Sequence, residues 1–454
     1  NQQAIYAQDS WAINSNMTFN FGVRYEEFEN KNSNGDTFIK IDNQWAPRLG
    51  FVWDLSGQGR TKLYASYGLY YLPIPSNTNV RMAGGELFDE GYFQWDGNMN
   101  PDGSPAGWTD CGALNFPGCG NQGSMGDYLR GGVYADGEIP DPLETLSSNF
   151  KPMSQLELIV GYEHMLGTNW SLGVRAVGRQ FNEVIEDSTI NQGLLEKYGY
   201  VVDHDEYRLM NPGSDFEGYA DLGDGIVPVS FTAEELGYPE AERNYTALEF
   251  TFKRRFANNW MFEGSYTWSK LWGNYEGMVL SDNGQDDAGI TIMFDYPALM
   301  DNSSGSLQQD RRHNLKLFGA YTFNFGLQVG ANATWRTGRP INSFGVHPTD
   351  PDAQGYGADS FYTFGEPTPR GNYGRTDDVT FLDLMVKYDF RWGVDWFVRM
   401  DIFNAFDQSA VVEVQESAEQ DSSDPPNYVS NPNYKEPLHY QAPRSVRFGV
   451  GINF

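Results

Sequence analysis

Near the end of the chain Val446, Phe448, Val450, Ile452 and Phe454 alternate with Arg447, Gly449, Gly451 and Asn453. A period of two gives an extended strand one oily and one polar face. The same alternation recurs throughout the chain, predicting strands nearly everywhere and helices almost nowhere. Residues 5–11 read as a strand and residues 13–16 as a turn. Met17, Phe19, Phe21, Val23 and Tyr25 then return opposite Thr18, Asn20, Gly22, Arg24 and Glu26, which makes a hairpin. A polar stretch, residues 29–43, leads to a strand that points Leu49, Phe51 and Trp53 one way, and Gly57-Gln58-Gly59 turns it into Leu63, Ala65, Tyr67 and Leu69.

Further along, oily positions two apart mark Leu156 to Tyr162, Leu172 to Ala176, Leu248 to Phe252, Phe262 to Trp268, Leu315 to Phe323, Leu327 to Trp335, Leu382 to Phe390 and Trp396 to Ile402. With the terminal strand the count is about thirteen. Connections alternate between short turns, such as Gly167-Thr168-Asn169 and Ala257-Asn258-Asn259, and long polar segments near residues 73–150, 183–243, 274–310, 337–379 and 407–442. Trp11, Trp53, Trp170, Trp260 and Trp392 sit beside short turns. A transmembrane antiparallel β-barrel has that asymmetry, with short periplasmic turns, long extracellular loops and aromatic girdles. The short turns then place the C-terminus in the periplasm.

Composition narrows the class. Aromatics are 15% of 454 residues, yet the mean hydropathy is −0.54, too polar for a bundle of membrane helices. No apolar run approaches the roughly 18 residues a spanning helix needs. In a barrel only alternate strand residues face lipid, so an all-β membrane protein can be this polar. A net charge of −30 excludes nucleic acid as a partner, since phosphates attract basic surfaces. The acids concentrate in the long segments, where solubility is the first reading and capture of a cation or basic ligand the second. Cys111 and Cys119 lie in a Gly- and Pro-rich loop and are a disulfide candidate in an oxidising compartment. The sequence starts at Asn1 and reads as processed, truncated or part of something longer.

Several motifs carry a family resemblance. Tyr6-Ala7-Gln8-Asp9-Ser10-Trp11, Phe21-Gly22-Val23-Arg24-Tyr25, Pro47-Arg48-Leu49-Gly50-Phe51, Asp310-Arg311-Arg312-His313-Asn314, Thr337-Gly338-Arg339-Pro340 and Phe403-Asn404-Ala405-Phe406 follow one another as in the barrels of TonB-dependent outer-membrane transporters. The chain resembles the Oar-like subgroup over essentially its whole length. A terminal strand ending in Phe454 likewise resembles the insertion signal read by the barrel assembly machinery, with Val446, Phe448, Val450 and Ile452 as its oily face. The resemblance implies a bacterial outer-membrane receptor with a 22-stranded barrel and a plug engaged by the TonB complex. The whole of residues 1–454 is then partial barrel, the C-terminal part, with the N-terminal plug and first strands absent from this chain. A barrel-anchored surface-binding protein and a passive porin are the alternative functions.

Catalytic chemistry is not called for. The five histidines are scattered, and no His-Glu-x-x-His or Gly-x-Ser-x-Gly occurs. Residues 118–123 match a dinucleotide pattern without the strand and helix it requires. No cofactor is expected. Residues 221–224 and 282–287 supply oxygen ligands that suit loop calcium, without EF-hand spacing, and residues 203–206 could hold a transition metal. Arg24, Arg48, Arg175, Lys253, Asp383, Arg399, Asp401 and Arg447 are expected on the inner face, pairing across the wall or touching a plug. The extracellular ligand stays open between a peptide, a glycan and a metal chelate.

Overall fold

A computed structural model describes residues 1–101, 104, 106, 125–202, 205–280, 282, 284–285, 288 and 291–453. Thirteen long strands follow one another in strict chain order in one antiparallel sheet: β1 (Gln2–Asn14), β2 (Met17–Lys31), β3 (Thr37–Asp54), β4 (Thr61–Tyr71), β5 (Ser154–Leu166), β6 (Trp170–Glu183), β7 (Arg243–Ala257), β8 (Trp260–Gly273), β9 (His313–Thr322), β10 (Leu327–Arg336), β11 (Val379–Trp392), β12 (Val394–Phe403) and β13 (Ser445–Asn453). The two-residue strand Gly305–Ser306 lies beside β8. Among the described residues β1 and β13 each pair on one side only, so the sheet is open.

Register puts each alternating set on one face. Val446, Phe448, Val450 and Ile452 stand opposite Ile402, Met400, Val398 and Trp396, which in turn meet Leu384, Val386, Tyr388 and Phe390 of β11. The same face continues through Phe250 opposite Tyr266 and Leu158 opposite Tyr67. Phe448 is 76% and Val450 69% exposed, an arrangement that water penalises and hydrocarbon rewards. A slip of one residue in any pair would exchange the two faces.

Turn chemistry follows the predicted alternation. Asn258 and Asn259 join β7 to β8 with φ of 50° and 70°, the double left-handed geometry of a two-residue hairpin turn. Of residues 13–16, Ile13 and Asn14 are still strand and only Ser15 and Asn16 form the turn. The larger correction concerns residues 29–43. They are a continuation of the β2–β3 hairpin, paired as far as Lys31 with Thr37, and only residues 32–36 turn. The alternation is obscured there by register shifts on either side of Phe28 and by Asn43 at φ 66°.

That extension anchors the apolar core of the molecule. Phe28, Phe38, Ile39 and Ile41 pack in one buried cluster with loop residues including Leu194, Leu209, Phe231, Tyr275, Phe294 and Phe361. The wall is a single layer with no core of its own, whereas the long connections fold together into a packed loop assembly. Small strand pairs inside it, 186–189 with 207–210 and 216–221 with 226–231, satisfy their backbone groups.

Candidate functional site

The polar face of the wall carries charges in register. Lys62 meets Glu163 at 2.9 Å, Arg175 meets Glu249 at 2.5 Å, Arg179 meets Glu157 at 2.6 Å, and Lys253 meets Glu263 at 3.3 Å. Each pair lies directly opposite across neighbouring strands. Asp401 receives Arg399 at 2.8 Å and Arg447 at 3.0 Å. Arg24 pairs with Glu26, Arg48 lies 4.9 Å from the centre of the Tyr70 ring, and Asp383 accepts from the Asn404 backbone. All eight charges expected on that face therefore have a partner in the wall or at its rim.

Two aromatic belts bound the apolar face. At the short turns Trp170 and Trp260 meet edge to face with ring centres 5.7 Å apart, and the Arg254 guanidinium lies 5.7 Å from the Trp170 and 3.7 Å from the Trp260 ring centre. Arg254 is on the oily face yet buried, because its Nη1 donates to the turn carbonyls of Ala257 and Trp260. At the loop end Tyr25 with Trp45, and His313 between Tyr266 and Trp335, form the second belt. Sequence reading found only the first, since the loop-end aromatics are spread over strands rather than beside turns. Grooves of about 650 and 730 Å³ lie along the apolar face over Gly264, Ala331 and Ala333, a surface suited to acyl chains rather than to a polar ligand.

The loop assembly is the third place where chemistry gathers, and there charge is buried. Arg370, with no exposed side-chain surface, donates to Asp282 at 2.5 Å and to the Ser303 carbonyl at 2.7 Å, and lies 4.5 Å from the Phe361 ring centre. Arg339 pairs with Glu416, which also accepts the Asn342 backbone N–H at 2.6 Å. Burial and the neighbouring Asp282 push the Glu416 carboxyl up to about 7 despite that partner. A cavity of about 430 Å³ is lined by Asp205, Asp350, Asp352, Tyr200, Asn191 and Gln192, among others. Behind it Tyr356 donates to Asp295 at 2.7 Å and contacts the Tyr207 hydroxyl at 2.7 Å. Burial raises Asp295 well above the usual carboxylate range and lifts Asp187 to about 7. The cavity thus offers carboxylates and aromatic hydroxyls to a ligand rich in donors or positive charge.

Two of the candidate calcium ligands already have partners in the loops. Asp221 accepts the backbone N–H groups of Gly223 and Gly225 at 2.8 and 3.0 Å, closing a turn, and Asp282 holds Arg370. Asp205 accepts from the Asn191 amide at 2.9 Å. Cys111 and Cys119, residues 118–123, residues 203–204, residues 283 and 286–287 and Phe454 lie outside the described residues. The buried loop arginines were not singled out in the sequence. Arg339 falls within the Thr-Gly-Arg-Pro motif, which was the available signal, and Arg370 has no motif around it.

An open antiparallel sheet with one lipid-suited face, two aromatic belts and a polar, ion-paired reverse is the wall of a transmembrane barrel. Residues 28–344 match the outer membrane beta barrel domain family, and the chain belongs to it. The TonB-dependent transporter Oar of Myxococcus xanthus is 30% identical over 498 residues, covering 99% of this chain and 42% of its own length. The chain thus spans less than half of that relative. Among solved structures, the pyoverdine outer membrane receptor FpvA of Pseudomonas aeruginosa PAO1, bound to pyoverdine, shares the fold at TM-score 0.50 with 12% identity, covering 100% of this chain and 42% of that one. The siderophore receptor PiuA of Acinetobacter baumannii aligns at TM-score 0.48 with 11% identity, covering 99% and 42%.

Proposed function

We propose that these residues form the wall and outer loops of a TonB-dependent outer-membrane receptor, which moves a ligand across the membrane with energy delivered through the TonB complex. The observation that carries the reading is the 30% identity to a TonB-dependent transporter along 99% of the chain. The packed loop assembly supports it, because ligand selection needs loops held in one arrangement. Short turns and the C-terminus lie on the periplasmic side in this reading, and the long loops lie outside. The oily face of β13 serves as the signal for the barrel assembly machinery.

The open edges bear on how the barrel closes. Each unsatisfied N–H or C=O in hydrocarbon costs several kcal/mol, so membrane sheets close on themselves. β1 and β13 therefore take their second partners from strands outside these 454 residues, and a plug fills the larger barrel. The test is a comparison of cells with the gene intact, the gene deleted, and TonB inactivated, measuring solutes and polypeptides on both sides of the outer membrane. The proposal expects the deletion and the TonB defect to shift the same compounds. A shift on deletion alone would point to a passive pore, and lost surface attachment with no shift would point to an anchor.

A further inference from the structure

Asp310 sits at the loop end of β9, fully buried, in the middle of an arginine cluster. Arg375 pairs with its Oδ2, Arg312 reaches the same oxygen at 3.5 Å, and its Oδ1 accepts the Leu271 backbone N–H at 2.8 Å. Arg339, whose charge also bears on Arg311, is matched by Glu416. The nearby carboxylates are thus already engaged by these partners. Two further arginines of the cluster, Arg311 and Arg336, are half-buried. Among the described residues Arg311 Nη1 and Arg336 Nε are buried without a hydrogen-bond partner, and so is Asn314 Oδ1, whose residue stands opposite Arg336 in register. Arg336 shares the polar face of β10 with Gln328, Asn332 and Thr334. Burial, together with Arg336, Arg339 and Arg375, lowers Arg311 to about 10.

A guanidinium N–H that is buried without an acceptor is costly, and it is ordinarily matched by an oxygen. The acidic residue that bears on Arg311 is Asp310, and its oxygens are already held by Arg375, Arg312 and the Leu271 N–H. We propose that Arg311 and Arg336 bind an oxyanion, a carboxylate or phosphate group, that comes from outside these 454 residues. Planar guanidinium forks match two oxygens of such a group at once. Asn314 is placed to add a donor when its amide turns its nitrogen inward. The source is either a diffusible solute or an acidic side chain of a polypeptide segment seated against the polar face. The inference rests on the register of β9 and β10 and does not depend on TonB coupling.

The experiment is thermal unfolding of the purified full-length protein in detergent, at constant ionic strength, with and without inorganic pyrophosphate. Wild type is compared with the pair Arg311→Gln, Arg336→Gln and the pair Arg311→Lys, Arg336→Lys, single variants replacing a pair that fails to assemble. An orphaned charge predicts that Gln matches or exceeds Lys, because removing unpaired charge relieves strain. A bound oxyanion predicts the reverse order, with the Lys pair several degrees above the Gln pair. Pyrophosphate raising the melting temperature of wild type but not of the Gln pair identifies a solute. The Lys-above-Gln order without a pyrophosphate response identifies a carboxylate already supplied by the protein. Gln at or above Lys, with pyrophosphate acting equally on both or on neither, overturns the proposal.

Discussion

Replacing Arg370 by Met tests whether the long loops are a folded unit or a set of tethers. The side chain is fully buried, bonded to Asp282 at 2.5 Å and to the Ser303 carbonyl at 2.7 Å, with Met293 sulfur 3.4 Å away. Methionine keeps much of the length and removes the cation, leaving two buried carboxylates, Asp282 at 2.5 Å and Glu276 at 3.7 Å from Nη1, without it. Breaking one side of a buried pair costs about 3–5 kcal/mol. Local opening should then be roughly a hundred- to a few thousand-fold more frequent, at a factor of ten per 1.4 kcal/mol. Hydrogen exchange resolved by peptide reads this directly: segments 291–303 and 341–371 should exchange faster, while β5 to β8 keep their protection. Adding Asp282→Leu should restore part of the loss, since an apolar pair can replace a buried ionic one, and adding Glu276→Gln as well should restore more. Unchanged loop exchange in the single variant would refute the reasoning, as would equal loss throughout the wall.

Val450→Arg puts a charge on the oily face opposite Val398 and should cost roughly 2–4 kcal/mol near the bilayer midplane. A reduced folded band on unboiled gels is the expected result, and wild-type assembly would contradict it. Cys111 and Cys119 are expected to be bonded, so thiol labelling of unreduced, denatured protein should find neither, and two reactive thiols would end that expectation. Asp187 and Glu416 titrate near 7 when folded, and burial is the main cause for each. Their raised values contribute stability that is fully present below the ordinary carboxylate range, about 3.9–4.3, and is lost as pH rises through about 7. Limited proteolysis of the loops should therefore quicken between pH 5 and pH 8, and a rate that falls over that window would reverse the assignment.

The wall was legible because a period of two survives in a single-layer sheet with one side in oil. Val446 to Ile452 and Leu382 to Phe390 announce their face without any tertiary information. The β2–β3 extension was not legible: Phe28 pairs across a register shift, Ile39 and Ile41 are flanked by charge, and their burial depends on loops distant in sequence. The loop assembly was hidden for a related reason. Its core is assembled from single residues such as Leu194, Tyr275 and Phe361, held by buried ion pairs between segments far apart in the chain, and no local pattern records such pairing. The cross-strand charges fall between these cases. Their face could be read from alternation, but the particular partner, Glu249 for Arg175 or Asp401 for Arg447, required the register.

The central claim is that one face of this sheet meets lipid and the other does not. A scan of single cysteines from 446 to 452, labelled with an environment-sensitive fluorophore in liposomes containing brominated lipid, tests it position by position. Positions 446, 448, 450 and 452 should be quenched and positions 447, 449 and 451 spared. Quenching that is uniform along the strand, or strongest at position 447, would contradict the account.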